Sequence, residues 1–433
     1  MQGHIRISLF ARLVLLALGA PLTASPVTAQ ITDSVLNDFI GSNGSQVIAG
    51  LISDSSGNLY GTTATGGLGT GTVYELSPVS GGGWTETVLY KFGSQSNDGA
   101  TPYARLVFDT LGNLYGTTIS GGAHKAGTVF ELSPGTGGVW TETILHNFGI
   151  GTDGHTPIAG LAIDAAGNLY GTTYYGGNVT TCPASGKTFS CGTAYELSPS
   201  AGSWTYSVIH NFSNVSDGYF PVAGLTLDSS GNLFGQTAFG ATYGGGLLFE
   251  LVPSNGTWTE VAIHPWGRVN QGRPDGSQCY GTLVFDAQGN LWGTSLLGGT
   301  HGGLGTVFKF TKNAHGWAET SVHGFGNGAD GAYPYSGFVI NAAGNLFGTT
   351  YKGGASGAGS VYEIIPVGTG FGYKLLYSFT GKTDGGLVAS PLLLDSAGNL
   401  YGTTMWGGDP THCTKSPLAG CGVVFEISGA AAK

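Results

Sequence analysis

Short apolar runs alternate with turn residues along almost the whole chain. In one stretch an apolar run, Tyr103–Asp109, is followed by the segments Asn113–Thr118, Gly127–Leu132 and Trp140–Phe148, the last of which alternates between apolar and polar positions. These segments are rich in β-branched and aromatic residues and are bounded by Gly, Pro, Asn and Asp, which is typical of β-strands. Apolar residues do not recur at the helical period over a useful length. The pattern predicts an all-β protein, with four strands in this stretch that we label A to D in chain order.

The same four segments recur seven times. Each copy contains the motif GNLYGTT or a close variant, and successive copies are 54 to 64 residues apart. The motif begins at Gly57, Gly112, Gly167, Gly231, Gly289, Gly344 and Gly398. Four short strands per repeat are typical of a β-propeller blade, and a closed array of repeats is one domain whatever its length. We therefore predict one seven-bladed propeller with four-stranded blades over residues 30–433.

The two ends of the chain predict how the ring closes. Residues Ile31–Phe39 match a D segment, whereas the last strand-like segment, Gly422–Ile427, is a C segment. The last repeat therefore lacks the D strand that the N-terminus can supply. Closing the ring in this way would remove exposed strand edges, so we expect the N-terminal strand to complete the last blade.

Residues 1–29 have the pattern of a secretory signal peptide. Arg6 and Arg12 form a basic start, an apolar run spans Leu13–Leu22, and small residues lead to a predicted cleavage site after Ala29. About ten apolar residues are too few to cross a hydrocarbon layer about 30 Å thick as a helix. We expect a secreted protein, in the periplasm, at the cell surface or outside the cell, with no membrane span in the mature chain.

The repeat resembles the Gloeo-Verruco (GloVer) tandem repeat of exported bacterial proteins. The residues that carry the resemblance are GNLYGTT, the Gly-Gly that follows it, and GTVYEL or GTVFEL, and they extend over nearly the whole chain after residue 29. Repeats four and five depart from the pattern, with GNLFGQT and GLLFEL in one and GNLWGTS and GTVFKF in the other. The resemblance implies the fold and export, and it implies no catalytic activity.

Charge and composition remove one class of partner. Only 9% of the residues are charged, the formal net charge is −10, and no cluster of Lys and Arg occurs. Binding to nucleic acid depends on clustered cations, so we expect no nucleic-acid partner. We expect a monomer whose partner is a glycan or an extracellular protein.

The five cysteines predict two local disulfides. Cys182 pairs with Cys191 and Cys413 with Cys421, because each pair brackets an insertion between strands B and C and export permits oxidation. A metal site is the alternative, but neither pair has CxxC spacing. Cys279 is left over, and we expect it to be buried and inert.

The positions of the acidic residues argue against an active site. Of the 25 acidic residues, 23 recur at equivalent positions of several repeats, and a residue repeated around a ring is more simply explained by folding than by one catalytic centre. Four histidines share one strand D position in the same way, and no GxSxG motif is present. These observations favour a non-catalytic protein without a cofactor.

One set of recurring acids has an alternative role. An Asp-Gly step precedes strand A in six repeats, and these carboxylates could coordinate a hard cation such as Ca²⁺. A turn-forming role is the simpler interpretation. The six residues are Asp98, Asp153, Asp217, Asp275, Asp330 and Asp384.

The long insertions point to a binding face. They all fall in the D–A and B–C connections, which lie on the same face of a propeller, and binding residues gather where loops can vary. Residues on this face that break the sevenfold pattern are the predicted ligand-binding residues: Arg105, Tyr175, Phe239, Trp266, Arg268, Arg273 and Trp406. Aromatic rings and guanidinium groups suit sugars or anionic partners. We expect an exported, non-catalytic glycan- or protein-binding propeller; the alternatives are an extracellular glycoside hydrolase or polysaccharide lyase that uses ring carboxylates, and a structural surface protein.

Overall fold

The computed structural model describes residues 32–178, 182, 190–213, 216–270, 273–299, 301–326, 329–414 and 417–430, with only the backbone at positions 270, 273 and 274. The predicted signal peptide, residues 1–29, lies outside these residues. Within the described part, no helix has the length and apolar character needed to cross a membrane.

The described chain folds into seven antiparallel sheets of the predicted A-B-C-D order, which confirms the seven-bladed propeller. The innermost A strands have two residues each: Ile52–Ser53, Val107–Phe108, Ala162–Ile163, Thr226–Leu227, Val284–Phe285, Val339–Ile340 and Leu393–Leu394. The B strands contain the repeated motif: Leu59–Thr63, Leu114–Gly121, Leu169–Thr173, Leu233–Phe239, Leu291–Ser295, Leu346–Thr350 and Leu400–Thr403.

In most blades the two outer strands are longer than the inner two. The C strands are Thr72–Pro78, Thr128–Pro134, Thr193–Ser200, Leu247–Ser254, Thr306–Asn313, Ser360–Val367 and Val423–Ser428. The D strands are Trp84–Lys91, Trp140–Asn147, Ser203–Asn211, Thr257–Pro265, Gly316–Gly324, Gly370–Ser378 and Thr32–Asp38. Short loop strands and one 3₁₀ turn complete the described elements: Gly99–Pro102, Gly154–His155, Tyr175–Gly176, Tyr219–Pro221, Val269–Asn270, Arg273–Pro274 and Thr136–Gly138.

The N-terminal strand closes the ring. Thr32–Asp38 pairs antiparallel with Val423–Ser428, with Thr32 opposite Ser428 and Asp38 opposite Val423. Blade 7 is therefore built from both ends of the chain, as the order of the segments predicts.

The hydrophobic core lies between neighbouring blades. One cluster joins Val73 and Phe92 of blade 1 to Leu114 and Phe130 of blade 2, all completely buried. The glycine of the repeated motif makes room for the strand C aromatic ring, because a Cβ added at Gly116 would lie 2.6 Å from the ring of Phe130. The motif is thus part of the packing between blades.

The first threonine of the GTT triplet links each blade to the next. The hydroxyl of Thr403 in blade 7 donates a hydrogen bond of 2.9 Å to the carbonyl of Ala49 in blade 1. Blade 4 has Gln236 at this position, and its side-chain amide donates instead to the carbonyl of Gly281 in blade 5 at 3.0 Å. The departure GNLFGQT in repeat four therefore keeps the link between blades.

The Asp between strands A and B organises its turn. One oxygen of Asp109 accepts hydrogen bonds from the backbone N–H groups of Leu111 and Asn113, and the other accepts from the Asn113 amide and the Tyr115 hydroxyl. Burial alone would raise the pKa of Asp109, but these hydrogen bonds outweigh it and lower the pKa. The turn role of this recurring Asp is therefore accounted for.

Candidate functional site

A channel runs along the propeller axis. It encloses about 290 Å³ and is lined by the residues that lead into the A strands. Two rings of equivalent positions form its wall. The mouth ring comprises Ile48, Tyr103, Ile158, Val222, Tyr280, Tyr335 and Ala389. Two residues further along the chain in each blade, the inner ring comprises Gly50, Arg105, Gly160, Gly224, Thr282, Gly337 and Pro391.

The D–A loops hold the mouth ring in place from the neighbouring blade. Thr101 lies two positions before Tyr103, has a φ of 60°, and its N–H donates to the carbonyl of Thr70 in blade 1 at 2.7 Å. The same left-handed conformation, at φ 54° to 61°, recurs at Gln46, Thr101, Thr156, Phe220, Gln278, Tyr333 and Leu387. This backbone costs about 1–3 kcal/mol at a residue other than glycine. Because the strain recurs with its hydrogen bond in all seven loops, the mouth residues sit on a rigid frame.

The inner ring is tightly packed and carries a single charge. A Cβ added at Gly337 would lie 2.2 Å from the carbonyl oxygen of Thr282, so glycine is needed where neighbouring blades approach most closely. Arg105 stands at the position that is glycine in four other blades. Its Nε donates to the carbonyl of Leu51 at 3.1 Å. The side chain is exposed to the channel, yet crowding by the walls lowers the pKa of Arg105; an arginine remains charged at neutral pH all the same.

Five tyrosines from four blades converge at the mouth. These axial tyrosines are Tyr103, Tyr174, Tyr280, Tyr335 and Tyr351. The rings of Tyr280 and Tyr335 stack at 4.7 Å between centroids, and Tyr335 lies 6.2 Å from Tyr351. Burial, and after it the neighbouring phenols, raises the pKa of Tyr335; the same causes raise the pKa of Tyr174 to about 12. All five therefore stay protonated and can donate hydrogen bonds.

The hydroxyls of the axial tyrosines are available to a ligand. Among the described residues none of the five donates or accepts a hydrogen bond with the protein. Each of the five side chains is partly buried, and three of them, Tyr103, Tyr280 and Tyr335, line the channel itself. Groups of this kind bind molecules that have both apolar faces and hydroxyls.

Sequence reasoning did not identify the axial tyrosines as site residues. Arg105 is recognisable from the sequence because it replaces a glycine of other repeats. Tyr103 is not, because it lies within an apolar strand A segment and has the pattern of a core residue. Comparison of the position before each A strand supplies the missing signal, because Tyr103, Tyr280 and Tyr335 replace isoleucine, valine or alanine of the other blades. Tyr174 and Tyr351 likewise replace smaller side chains directly after the B-strand motif.

Two predicted ligand-binding residues meet in an aromatic patch on blades 3 and 4. Tyr175 and Phe239 lie on either side of Phe220, at 5.2 Å and 6.3 Å between ring centroids. Phe220 also stacks on the axial Tyr174 at 4.6 Å. The patch is therefore continuous with the mouth of the channel.

The other predicted residues are scattered, and one is a core residue. Trp266 is completely buried, with its ring 4.6 Å from that of Phe308, so the structure corrects its assignment to the ligand-binding face. Its position after strand D is one of phenylalanine in other blades, and the tryptophan fills the same pocket. Trp406 is half-buried in blade 7 and Arg268 is exposed in the link between blades 4 and 5. The side chain of Arg273 lies outside the described residues.

The carboxylates of the Asp-Gly steps bind strand D and their own loops. Asp153 accepts from His146 Nε2 at 2.9 Å and from the N–H of Gly154 at 2.7 Å. In the equivalent places Asp217, Asp275 and Asp330 face histidines, and Asp98 and Asp384 face tyrosines. The recurring histidines are thus packed blade residues. Calcium binding by these carboxylates stays a prediction.

A third side chain, from strand D of the next blade, completes each of these junctions. Tyr206 stacks on His146 with 3.9 Å between ring centroids. At the junction of blades 4 and 5 the third group is Glu319, which lies 3.7 Å from His264 Nε2, and His264, Asp275 and Glu319 bring three ligand atoms within 4.8 Å of one another. In the described part of the chain this is the single group of three whose spacing could hold a metal ion.

One carboxyl at a junction has a strongly shifted pKa. Burial, followed by the negative charge of Asp98, raises the pKa of Glu142 to about 7. Gln95 and Tyr90 reach the same carboxyl and lower the pKa in part. Glu142 can therefore exchange a proton near neutral pH.

Both predicted cysteine pairs are disulfide-bonded. The Cα atoms are 5.4 Å apart in Cys182–Cys191 and 5.2 Å apart in Cys413–Cys421. Cys279 is a free thiol and completely buried, as expected, and burial raises its pKa well above the usual value. Two disulfides in loops of one face indicate an oxidising compartment, extracellular or periplasmic.

Comparison with known proteins identifies a repeat family and a shared fold. The family model described as Gloeobacter/Verrucomicrobia repeat matches residues 22–182 and 177–416. Among curated proteins, none matches the chain.

Among solved structures, the extracellular domain of a protein described as a hybrid two-component system of B. thetaiotaomicron has a TM-score of 0.54 and 12% identity. The alignment covers 92% of this chain but 41% of that one, so this chain spans less than half of its length. A protein described as a 6-phosphogluconolactonase of Bacteroides uniformis has a TM-score of 0.48 and 14% identity, over 75% of this chain and 83% of that one. The first likeness shows the propeller fold alone, and the second is too distant to argue from.

Proposed function

The chain belongs to the Gloeobacter/Verrucomicrobia repeat family, as its motifs indicate, and on that premise we propose that it is an exported, non-catalytic propeller that binds a glycan at the mouth of its axial channel. The ligand-binding face is the one that carries the D–A and B–C loops. A protein ligand at the same face is the alternative occupant.

One observation carries the proposal: the repeats carry different side chains where their loops meet the axis. Five tyrosines from four blades replace aliphatic or small residues there, and their hydroxyls have no protein partner among the described residues. Folding does not need these tyrosines, because other blades reach the same position with isoleucine, valine or alanine. A binding site requires side chains that differ from those at the equivalent positions of the other repeats, and the axial tyrosines meet this requirement.

The chemistry of the mouth suits a saccharide. Tyrosine offers a flat apolar ring for the C–H face of a sugar and a hydroxyl for its oxygens. The aromatic patch around Phe220 extends the surface beyond the channel, which a ligand of several sugar units could use. The two disulfides support this ligand class, because they are consistent with an extracellular or periplasmic protein, and glycans occur in both compartments.

Variants that restore the repeat test the proposal without disturbing the fold. Binding of the purified chain to an array of bacterial and plant glycans would first identify a ligand. Tyr103→Ile and Tyr280→Val each introduce a side chain that other blades have at this position, and both are expected to weaken binding by about tenfold or more. Tyr243→Ala provides a control, because Tyr243 is exposed on the B–C loop of blade 4 and is not an axial tyrosine.

Two results would count against the proposal. One is full affinity in both axial variants, and the other is loss of affinity in the Tyr243→Ala control alone. Either would move the binding site away from the axis.

A hydrolase or lyase that uses ring carboxylates is the second candidate, and Glu142 is the observation that favours it. A carboxyl with a pKa near 7 can act as a general acid or base, and Asp98 lies beside it. Turnover of polysaccharides that disappears in Glu142→Gln and persists in Tyr103→Ile would support this candidate over the binding protein.

A further inference from the structure

Arg105 is a cation without a counter-ion. Among the described residues no carboxylate forms an ion pair with it, and its one hydrogen bond is from Nε to the Leu51 carbonyl. The two terminal nitrogens of the guanidinium therefore have no acceptor within the part of the chain that the structure describes. Because the side chain is exposed to the channel, these nitrogens are open to a ligand that enters along the axis.

The surroundings of Arg105 contain donors and no acids. The other six members of the inner ring are glycine, threonine or proline, and the mouth ring above carries phenol groups that stay protonated. Neither Arg105 nor Tyr103 has a carboxylate among the groups that shift its pKa, although the sequence contains 25 acidic residues. The acids lie in the turns and outer strands, so the axis is the place where a negative ligand meets least repulsion.

Arg105 and Tyr103 can reach one ligand together. They are two positions apart in the chain, so their Cα atoms are at most about 7 Å apart, and both side chains line the channel. This distance is close to the length of one sugar ring with its exocyclic group. A sugar that stacks at the mouth can therefore direct its acidic group inward to the guanidinium.

We propose that Arg105 forms a site for an oxyanion carried by the ligand, so that the saccharide bound at the mouth is an acidic one. This inference rests on the proposed binding function and names its substrate class. The oxyanion is the carboxylate of a uronic acid or the sulfate of a sulfated sugar, both of which accept two parallel hydrogen bonds from a guanidinium. The unpaired terminal nitrogens supply those hydrogen bonds.

The repeat itself supplies the variant that removes the charge. Glycine occupies the position of Arg105 in four other blades, so Arg105→Gly introduces a residue that the ring already accommodates at this position. Arg105→Lys keeps the charge and loses the fork of donors. Lys312→Gln is the matched control, because Lys312 is an exposed cation beside the C–D turn of blade 5, on the face opposite the D–A and B–C loops.

The first experiment measures saccharide affinity by calorimetry. Oligogalacturonate, its methyl ester and a sulfated galactan fragment are titrated into the wild-type chain and the three variants. We expect the acid to bind about 10- to 100-fold more tightly than its ester, and we expect Arg105→Gly to abolish this difference while Lys312→Gln keeps it. The stronger of the carboxylate and sulfate series identifies the oxyanion.

The second experiment observes the guanidinium directly. Only Arg105, Arg268 and Arg273 lie after residue 29, so a chain lacking residues 1–29 has three arginine Nε–H signals in an NMR spectrum of arginine-labelled protein. Titration with inorganic sulfate or acetate should shift the signal that is lost in Arg105→Gly more than the two signals that persist in that variant.

The outcomes separate the two proposals. Equal binding of acid and ester overturns the oxyanion site and leaves the binding function standing. A shift of the Arg105 signal by sulfate or acetate without binding of any saccharide supports the oxyanion site and argues against the saccharide function. If neither inorganic anions nor acidic sugars produce an effect that depends on Arg105, the oxyanion site is wrong.

Discussion

At the outer edge of the propeller the same interaction recurs from blade to blade, whereas at the axis equivalent positions carry different side chains. Asp153 and Asp330 bind histidines of the preceding D strand through Oδ2. Asp98 binds a tyrosine of the preceding D strand through the same oxygen. At the mouth of the channel, Tyr103 stands where blade 1 has Ile48. The comparison teaches that a position which keeps its partner around the ring serves the fold, while a position which changes and lacks a partner is free to bind.

Removing the strand that closes the ring should have the largest effect on stability. A chain that begins at residue 40 lacks strand Thr32–Asp38 and leaves Val423–Ser428 as an exposed edge. We expect it to lose an amount of stability comparable with the whole unfolding free energy, about 5–15 kcal/mol. Denaturant unfolding against a chain that begins at residue 31 measures the loss, and equal midpoints would show that blade 7 does not need its N-terminal strand.

The disulfides come next in size. Cys182→Ser and Cys413→Ser each open a loop of about ten residues, so each should lower the unfolding free energy by about 2–3 kcal/mol. Urea unfolding with and without reductant provides the measurement, and Cys279→Ser controls for loss of a thiol that is not in a disulfide. Wild-type protein that is indifferent to reductant would contradict the expectation.

Glu142 should lower the unfolding free energy of the protein as the pH rises. Its pKa of about 7 in the folded protein is above the usual 4.5, because burial disfavours the charged form. A carboxyl with a raised pKa stabilises the folded state only while it is protonated, so its contribution is present below about pH 4.5 and is lost as the pH rises to about 7.

The substitution Glu142→Gln removes this loss. We expect it to increase the unfolding free energy by about 1–2 kcal/mol at pH 8, a figure reduced for partial exposure to solvent, and to change it little at pH 5. Thermal or urea unfolding at the two pH values compares the variant with the wild type. A gain that is the same at both pH values would mean that the carboxyl does not titrate in this range.

The threonine links between blades offer a matched pair. Thr403 donates to the Ala49 carbonyl at 2.9 Å and Thr62 donates to the Ala104 carbonyl at 3.4 Å. Thr403→Val should therefore cost about 1 kcal/mol and Thr62→Val less, because the longer hydrogen bond is the weaker one. Urea unfolding of the two variants compares them directly, and a larger loss in Thr62→Val would argue against the geometry of the link.

The smallest effect on stability is expected at the mouth. Arg105→Gly and Tyr103→Ile convert blade 2 to residues that other blades already have, so each should change the unfolding free energy by less than about 0.5 kcal/mol. Binding should fall in both, as argued above. If either variant lost as much stability as Thr403→Val, the residue at the mouth would be needed for folding, and the distinction from the residues that link the blades would be wrong.

The sequence by itself determined the number of blades, the order of the strands, the closure by Thr32–Asp38 and both disulfide pairs. These features depend on local pattern or short loops: turn residues, β-branched segments and cysteines eight or nine positions apart. Repetition strengthened the predictions of strand order and blade number, because seven copies of one motif each indicate the same structure.

Only the tertiary structure decided which side chains meet at the axis and which are buried. Trp266 looked like a surface aromatic in an irregular loop, and it fills a core pocket beside Phe308. Tyr103 looked like a core residue of strand A, and it joins Tyr335, more than 200 positions further along the chain, at the mouth of the channel. Contacts of this kind depend on the radius and closure of the whole ring, which brings distant loops to one point, and no pattern within a single repeat contains that information.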